Sequence, residues 1–181
     1  MDIADAQREM RYNFLGGFVG QLVSGALWLI SGALALWSTP AAAMGLLVIG
    51  GIFIFPMTQV GLRLMGRPGK VSEENGLNAL GAQVAFVLPL SLPLVAAATL
   101  YEPGWFYPAF MVALGAHYLP FVFLYGMAMF AALAGLLWIL GVLLATHLVL
   151  GFSAGAWITG VILLIFAVMG RARVLKEERG G

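Results

Sequence analysis

Three stretches of this 181-residue chain hold no Asp, Glu, Lys or Arg: residues 12–62, 75–101 and 103–170. Their lengths are 51, 27 and 68 residues. A charged side chain near the centre of a bilayer costs about 2.5–3.5 kcal/mol even on the most lenient scale. Charge-free stretches of this length therefore mark hydrocarbon. One membrane helix needs about 20 residues. The three stretches then hold two, one and three spans, six in all.

Turn residues divide them. Ser38-Thr39-Pro40 separates a span near 17–37 from one near 41–62. The third span covers about 76–100 and ends at Tyr101-Glu102-Pro103-Gly104. The fourth, about 105–125, reverses at Tyr125-Gly126 into a fifth, about 127–147, and Leu150-Gly151 opens a sixth, about 152–170. Without a break at Gly126, spans four and five become one bent helix and the count is five. Barrel strands alternate apolar and polar residues over about 10 positions, and stretches such as 135–144 do not alternate. The expected fold is an all-α polytopic membrane protein, a bundle of six helices.

Composition agrees. Hydrophobic residues make up 62% and charged residues 9%, with a mean hydropathy of +0.99, whereas soluble domains carry about 25% charged residues. A soluble globular domain, a disordered chain and a collagen-like fibre are excluded. The absence of cysteine removes disulfide scaffolds, thiolate metal sites and cysteine nucleophiles. A net charge of +1 gives no field for nucleic acid.

All nine Lys and Arg residues fall on one side of a six-span path. Arg8 and Arg11 precede span one, and Arg63, Arg67 and Lys70 lie between spans two and three. Arg171, Arg173, Lys176 and Arg179 follow span six. Positive loops are cytoplasmic, so both termini are expected in the cytoplasm. The segment 1–16 is then a cytoplasmic or interfacial segment, 17–170 the transmembrane domain and 171–181 a cytoplasmic tail. The first ten residues carry Asp2, Asp5 and Glu9, unlike a basic signal peptide. Ile3, Ala6, Met10 and Phe14 fit a short amphipathic helix on the inner surface; a mobile polar tail fits equally.

Eight identities at an offset of 110 relate residues 25–52 to 135–162, among them Gly25 with Gly135, Trp28 with Trp138 and Gly50 with Gly160. This reads as a weak parallel repeat rather than an inverted one. Gly16, Gly20 and Ser24 on span one, and Gly151, Gly155 and Thr159 on span six, repeat every four residues, as helices in close contact do. Pro56, Pro89, Pro93 and Pro120 lie within spans and predict kinks, strongest in the third.

Chemistry is sparse. No intramembrane carboxylate or cation is available for a proton relay. Gln21, Thr58, Gln59, Asn78 and Gln83 fall in the cytoplasmic halves of spans one to three, and His117 and Tyr118 near the middle of span four. These residues fit either a polar vestibule, lined by Gln21, Gln59, Gln83, His117 and Tyr118 and binding a ligand, or plain interhelical hydrogen bonding. Gln83 is the expected partner of the His117 ring. Gly151-Phe152-Ser153-Ala154-Gly155 spells the hydrolase G-x-S-x-G, but the hydrolase turn needs a strand before its serine. No histidine follows Ser153 as a catalytic partner. His117 and His147 differ by about 18 Å in depth, too far for two ligands of one haem or metal. No catalytic residue, metal site or cofactor is expected, and the chain is not expected to be an enzyme.

The segment Asp-Ile-Ala-Asp-Ala-Gln-Arg-Glu-Met-Arg at 2–11, Gly-Gln-Leu-Val-Ser-Gly at 20–25 and Gly-Ala-His-Tyr-Leu-Pro-Phe at 115–121 resemble a family of small bacterial multi-span proteins, domain of unknown function 7010. The resemblance covers nearly the whole chain. It implies a protein of the bacterial inner membrane and no activity. Two functions fit: a carrier or binding protein for a small neutral or amphipathic ligand, and a structural or assembly subunit acting through helix packing. The expected partners are the lipid bilayer and a second copy or another membrane protein.

Overall fold

The computed structural model describes residues 1–148 and 150–180. The described residues form ten α-helices and two single 3-10 turns, with no strand. The chain is an all-α membrane protein. Ile3–Trp37, Leu77–Tyr101, Pro103–Tyr125, Met129–Thr146 and Ala154–Gly180 are each long and apolar enough to cross a bilayer. Pro40–Gly51 and Ile54–Leu64 are long and apolar enough only as a pair, bent by 55°, which forms either one broken span or a re-entrant loop; the total is five or six.

Helix α1 is Ile3–Phe14, and the Asp2 carboxylate caps it by accepting from the Asp5 amide at 2.8 Å. Leu15, Gly16 and Gly17 then take φ of +49°, +60° and +82°. These left-handed residues break the helix before α2 (Phe18–Trp37) begins. Leu15 is the one non-glycine residue with positive φ among those described. The Thr39 side chain caps α3 (Pro40–Gly51), with Pro40 in its first turn.

Helix breaks and prolines are related in a way that spacing alone did not show. Span two breaks at Ile52–Phe53, and α4 (Ile54–Leu64) leaves α3 at 55°. Pro56 is therefore the third residue of a new helix, where a missing N–H costs nothing. Gly50-Gly51 weakens the preceding turn. The same arrangement recurs in span three, where α5 (Leu77–Ala85) ends at Phe86 and Pro89 is the third residue of α6 (Val87–Tyr101). Pro120 sits at the start of α8 (Phe121–Tyr125), after α7 (Phe106–Tyr118) has ended. Of the four, only Pro93 lies beyond the first turn of its helix. The larger bend is thus in span two and not, as expected, in span three.

Gly126, at φ +62°, closes the reversal expected at Tyr125-Gly126 and leads into α9 (Met129–Thr146). Helix α10 (Ala154–Gly180) runs 27 residues, well past the last apolar turn.

The core is two antiparallel pairs, α2 with α10 and α7 with α9. A Cβ on Gly16 would meet the Gly170 carbonyl oxygen at 3.1 Å, and one on Gly32 would meet Ala156 Cβ at 3.1 Å. In the other pair, a Cβ on Gly115 would lie 2.8 Å from the Ala134 oxygen and one on Gly141 2.8 Å from the Pro108 oxygen. Backbones this close gain dispersion that lipid cannot supply.

The register differs from the one expected. Gly20 faces the Thr58 side chain of α4 at 3.6 Å, an ordinary contact, and Gly151 meets nothing within 4 Å. Gly155 does pack, against Tyr107 Cβ. The offset repeat has no counterpart in packing: Trp28 is 2% exposed and its sequence partner Trp138 is 54% exposed.

Candidate functional site

Helix α2 buries one stripe, Gln21, Ser24, Gly25, Trp28, Ser31 and Gly32, at the three- and four-residue spacing of a helix face. Three of these carry polar side chains, set among apolar residues in the middle of the bundle.

Near the end away from the cations, the stripe is satisfied. Ser31 Oγ donates to the Ala43 carbonyl at 2.9 Å and lies 2.7 Å from Tyr107 Oη. A serine hydroxyl has one hydrogen, already given to Ala43, so Tyr107 is the donor to Ser31. This joins α2, α3 and α7. Trp28 fills the next turn against Tyr107 and Phe110, at centroid distances of 5.9 and 5.3 Å.

One to two turns further, the stripe is not satisfied. Gln21 is 2% exposed, and neither Nε2 nor Oε1 has a hydrogen-bond partner. The Thr159 hydroxyl on α10 is also fully buried without a partner. Gly25 packs on Gly160, so Thr159 sits about 6–8 Å from Gln21 along the bundle axis. A cluster of rings packs against the start of α2. A Cβ on Gly17, one turn from Gln21, would lie 3.5 Å from the Phe130 ring. Phe130 stacks on Tyr118 at 6.2 Å and on Tyr125 at 5.3 Å.

Of the five residues expected to share a vestibule, His117 and Tyr118 meet ring to ring at 5.4 Å and the others lie apart. Gln21 is buried in the core and Tyr118 in the ring cluster. Gln59 is half-buried, and its Oε1 lies over Gly69 of the following loop. Gln83 is exposed. His117 is half-buried, and its Nδ1 lies 3.1 Å from the Val84 carbonyl. Among the described residues no hydrogen bond joins any two of the five. The expected Gln83–His117 pair is replaced by a bond to the backbone of the next residue. Val84 turns inward, 4% exposed, so Gln83, about 100° away on the helix, turns outward. His117 sits in the last turn of α7, near the middle of the Pro103–Tyr125 span. Ser31 was not singled out, and Thr159 was read only as a small residue of a helix contact, although the 3-4-3 spacing of Gln21, Ser24, Trp28 and Ser31 was available as a signal.

The second polar cluster holds the charged end together. Arg11 grips Glu177 with two bonds, 2.8 Å from Nε and 2.7 Å from Nη2, and donates a third to the Tyr125 carbonyl at 2.7 Å. Gln7 donates to the Phe123 carbonyl at 2.6 Å. Glu9 accepts from Asn75 Nδ2 at 2.7 Å and from the Ser72 amide at 2.8 Å. Arg67 pairs with Glu178 at 2.7 Å, its guanidinium 4.3 Å from the Tyr12 ring. Helix α1 thus ties together the loop after span two, the reversal at Gly126 and the end of α10. The Asn75 hydrogen bond, helped by Ser72, holds the Glu9 carboxyl below its usual range. Arg11 does the same for Glu177, helped by Arg8 and Arg173.

The model of one protein family, described as a family of unknown function (DUF7010), matches residues 3–173. No curated protein and no solved structure matches the chain.

Proposed function

This chain belongs to the DUF7010 family, and we propose that it is a carrier or binding protein for a small neutral solute, held inside the bundle by Gln21. The carrying observation is the Gln21 amide, buried with all its hydrogen-bonding capacity unused. Such a group costs about 1–3 kcal/mol when left unpaired, and an apolar side chain of similar size would avoid that cost. A bound solute or water removes it. The amide can donate twice and accept twice, and Thr159 adds a hydroxyl nearby. No charge lies within the spans, so the occupant is neutral. On this reading Tyr118, Phe130 and Tyr125 close the site toward the charged end, His117 steadies those rings, and Gln59 and Gln83 flank the approach. The 55° break in span two supplies the element that moves. By the positive-inside rule the basic end is cytoplasmic, in a bacterial inner membrane. The protein performs no covalent chemistry.

A screen of small amides, polyols and nucleosides by thermal shift on purified protein tests this. One class is expected to raise the melting temperature of wild type and not that of Gln21→Leu, which stays folded. If no solute shifts wild type and Gln21→Leu melts higher than wild type, Gln21 is only an unsatisfied packing residue.

A second reading, an assembly subunit, is favoured by two observations. The Gln83 amide is exposed on a span, and Ala131, Ala132 and Gly135 of α9, with Ala128 just before it, form a small-residue face with open space beyond Gly135. Crosslinking in membranes between thiols placed at Gln83 in one copy and its neighbour would support it; monomers alone would count against it.

A further inference from the structure

Helix α10 continues about three turns beyond Gly170, and there it runs beside α1. Between them lies a groove of about 890 Å³, lined by Ala4, Gln7, Arg8 and Arg11 on one wall and by Arg173, Lys176, Glu177 and Gly180 on the other. Both sets follow the i, i+3, i+4, i+7 spacing of a single helix face, so the two walls are built by regular helices. Gly126 forms the floor, where a side chain would strike Gln7. The fold holds the walls in place through Arg11 with Glu177 and through Gln7 and Arg11 with the carbonyls of Phe123 and Tyr125.

The charges on the walls do not balance. Four cations, Arg8, Arg11, Arg173 and Lys176, face one anion, Glu177. Arg11 neutralises Glu177 through a two-bond grip. Arg8 is held only by Asp5, in a pair that is 65% and 51% exposed and therefore weak. Among the described residues, Arg173 and Lys176 pair with no carboxylate. The fields of Arg8 and Arg173 both reach Glu177, lowering its carboxyl below the usual range after Arg11 has done so. A second hollow on the same helix pair shares Arg8, Arg11 and Glu177 and adds Asp5, Glu9 and Glu178, of which Glu178 is paired with Arg67. Arg173 and Lys176, the two without a carboxylate partner, line the Gly126 groove and not this second hollow.

We propose that the groove over Gly126 binds a phosphate group, with Arg8, Arg173 and Lys176 as its ligands. Arginine matches phosphate oxygens with two parallel N–H bonds, and lysine supplies a point charge. The groove opens beside the polar end of the bundle, where anionic lipid headgroups lie. A phosphodiester headgroup and a soluble phosphate present the same oxygens.

Thermal unfolding in detergent separates the outcomes, with three additions: phosphatidylglycerol, phosphatidylcholine and inorganic phosphate, the last against chloride at equal ionic strength. The proteins are wild type, Arg173→Gln/Lys176→Gln, and Arg179→Gln, which lies off the groove. Phosphatidylglycerol raising the midpoint of wild type and Arg179→Gln by several degrees, with at least half of that shift lost in the double variant, supports a lipid headgroup. The same pattern with inorganic phosphate supports a soluble anion. No shift in wild type, or an equal shift in all three proteins, overturns the site.

Discussion

Gly25 and Gly160 pack backbone to backbone. A Cβ on Gly25 would lie 3.1 Å from the Gly160 carbonyl oxygen, and a Cβ on Gly160 would lie 3.0 Å from that of Gly25. The contact is reciprocal, so neither side can relax by moving a flexible side chain. Gly25→Leu and Gly160→Leu are each expected to destabilise the protein by about 1–3 kcal/mol, the usual cost of overpacking. Gly135→Ala, with nothing within 4 Å of the new methyl, is expected to be neutral or mildly stabilising, because alanine is the better helix former. Melting temperatures in one detergent decide. A Gly25→Leu protein as stable as wild type would mean that α2 and α10 do not meet there.

Acid is expected to loosen α1. The Glu177 carboxyl ordinarily titrates near 4.5, and Arg11 holds it lower in the folded protein. A depressed folded value gives stability that is complete above the unfolded value and is lost as pH falls through the folded one. Glu9, held low by Asn75, adds in the same direction. Proteolysis within residues 1–14 is therefore expected to accelerate below about pH 4.5, and Glu177→Gln to show fast cleavage already at pH 7. Cleavage of wild type that is equally slow at pH 7 and pH 3.5 would contradict this.

Tyr107 and Ser31 make an asymmetric pair. Tyr107→Phe removes the donor and leaves the bond from Ser31 to Ala43 intact, so it is expected to cost about 1 kcal/mol. Ser31→Ala leaves both the Tyr107 hydroxyl and the Ala43 carbonyl without that partner, and is expected to cost more, about 1–3 kcal/mol. Chemical or thermal unfolding of the two variants checks the order. The reverse order would mean that Ser31 and Tyr107 do not share this bond.

The spans were legible because charge is excluded from hydrocarbon so strongly that nine cations and eight carboxylates suffice to draw the boundaries. The reversal at Gly126 was legible too, since a tight turn demands a residue tolerant of positive φ. Helix breaks were not: a proline in the first turn of a new helix and one that kinks an old helix look the same in sequence. Pro56 and Pro89 are of the first kind. The site was only partly legible. Gln21 was named, but its burial depends on which face of α2 meets α10, and here the inward face is the one that carries Gln21, Ser24 and Ser31. Gln83 and Val84 show the same limit, since adjacent residues on one helix point to opposite surroundings and only packing says which turns inward. Nor was there a local signal that α10 would continue as a helix beside α1. That pairing rests on contacts between residues more than 160 positions apart, such as Arg11 and Glu177.

A path of six crossings, with all nine cations at one end, is the premise of both the proposed interior site and the phosphate groove. The chain has no cysteine, so single thiols report without background. Labelling of Glu73→Cys and Glu102→Cys in sealed inverted and right-side-out vesicles with a membrane-impermeant maleimide measures the path directly. Glu73 lies in the loop after span two and Glu102 in the turn after span three. The account predicts that Glu73→Cys reacts only from the cytoplasmic side and Glu102→Cys only from the opposite side. Reaction of both from the same side would contradict it.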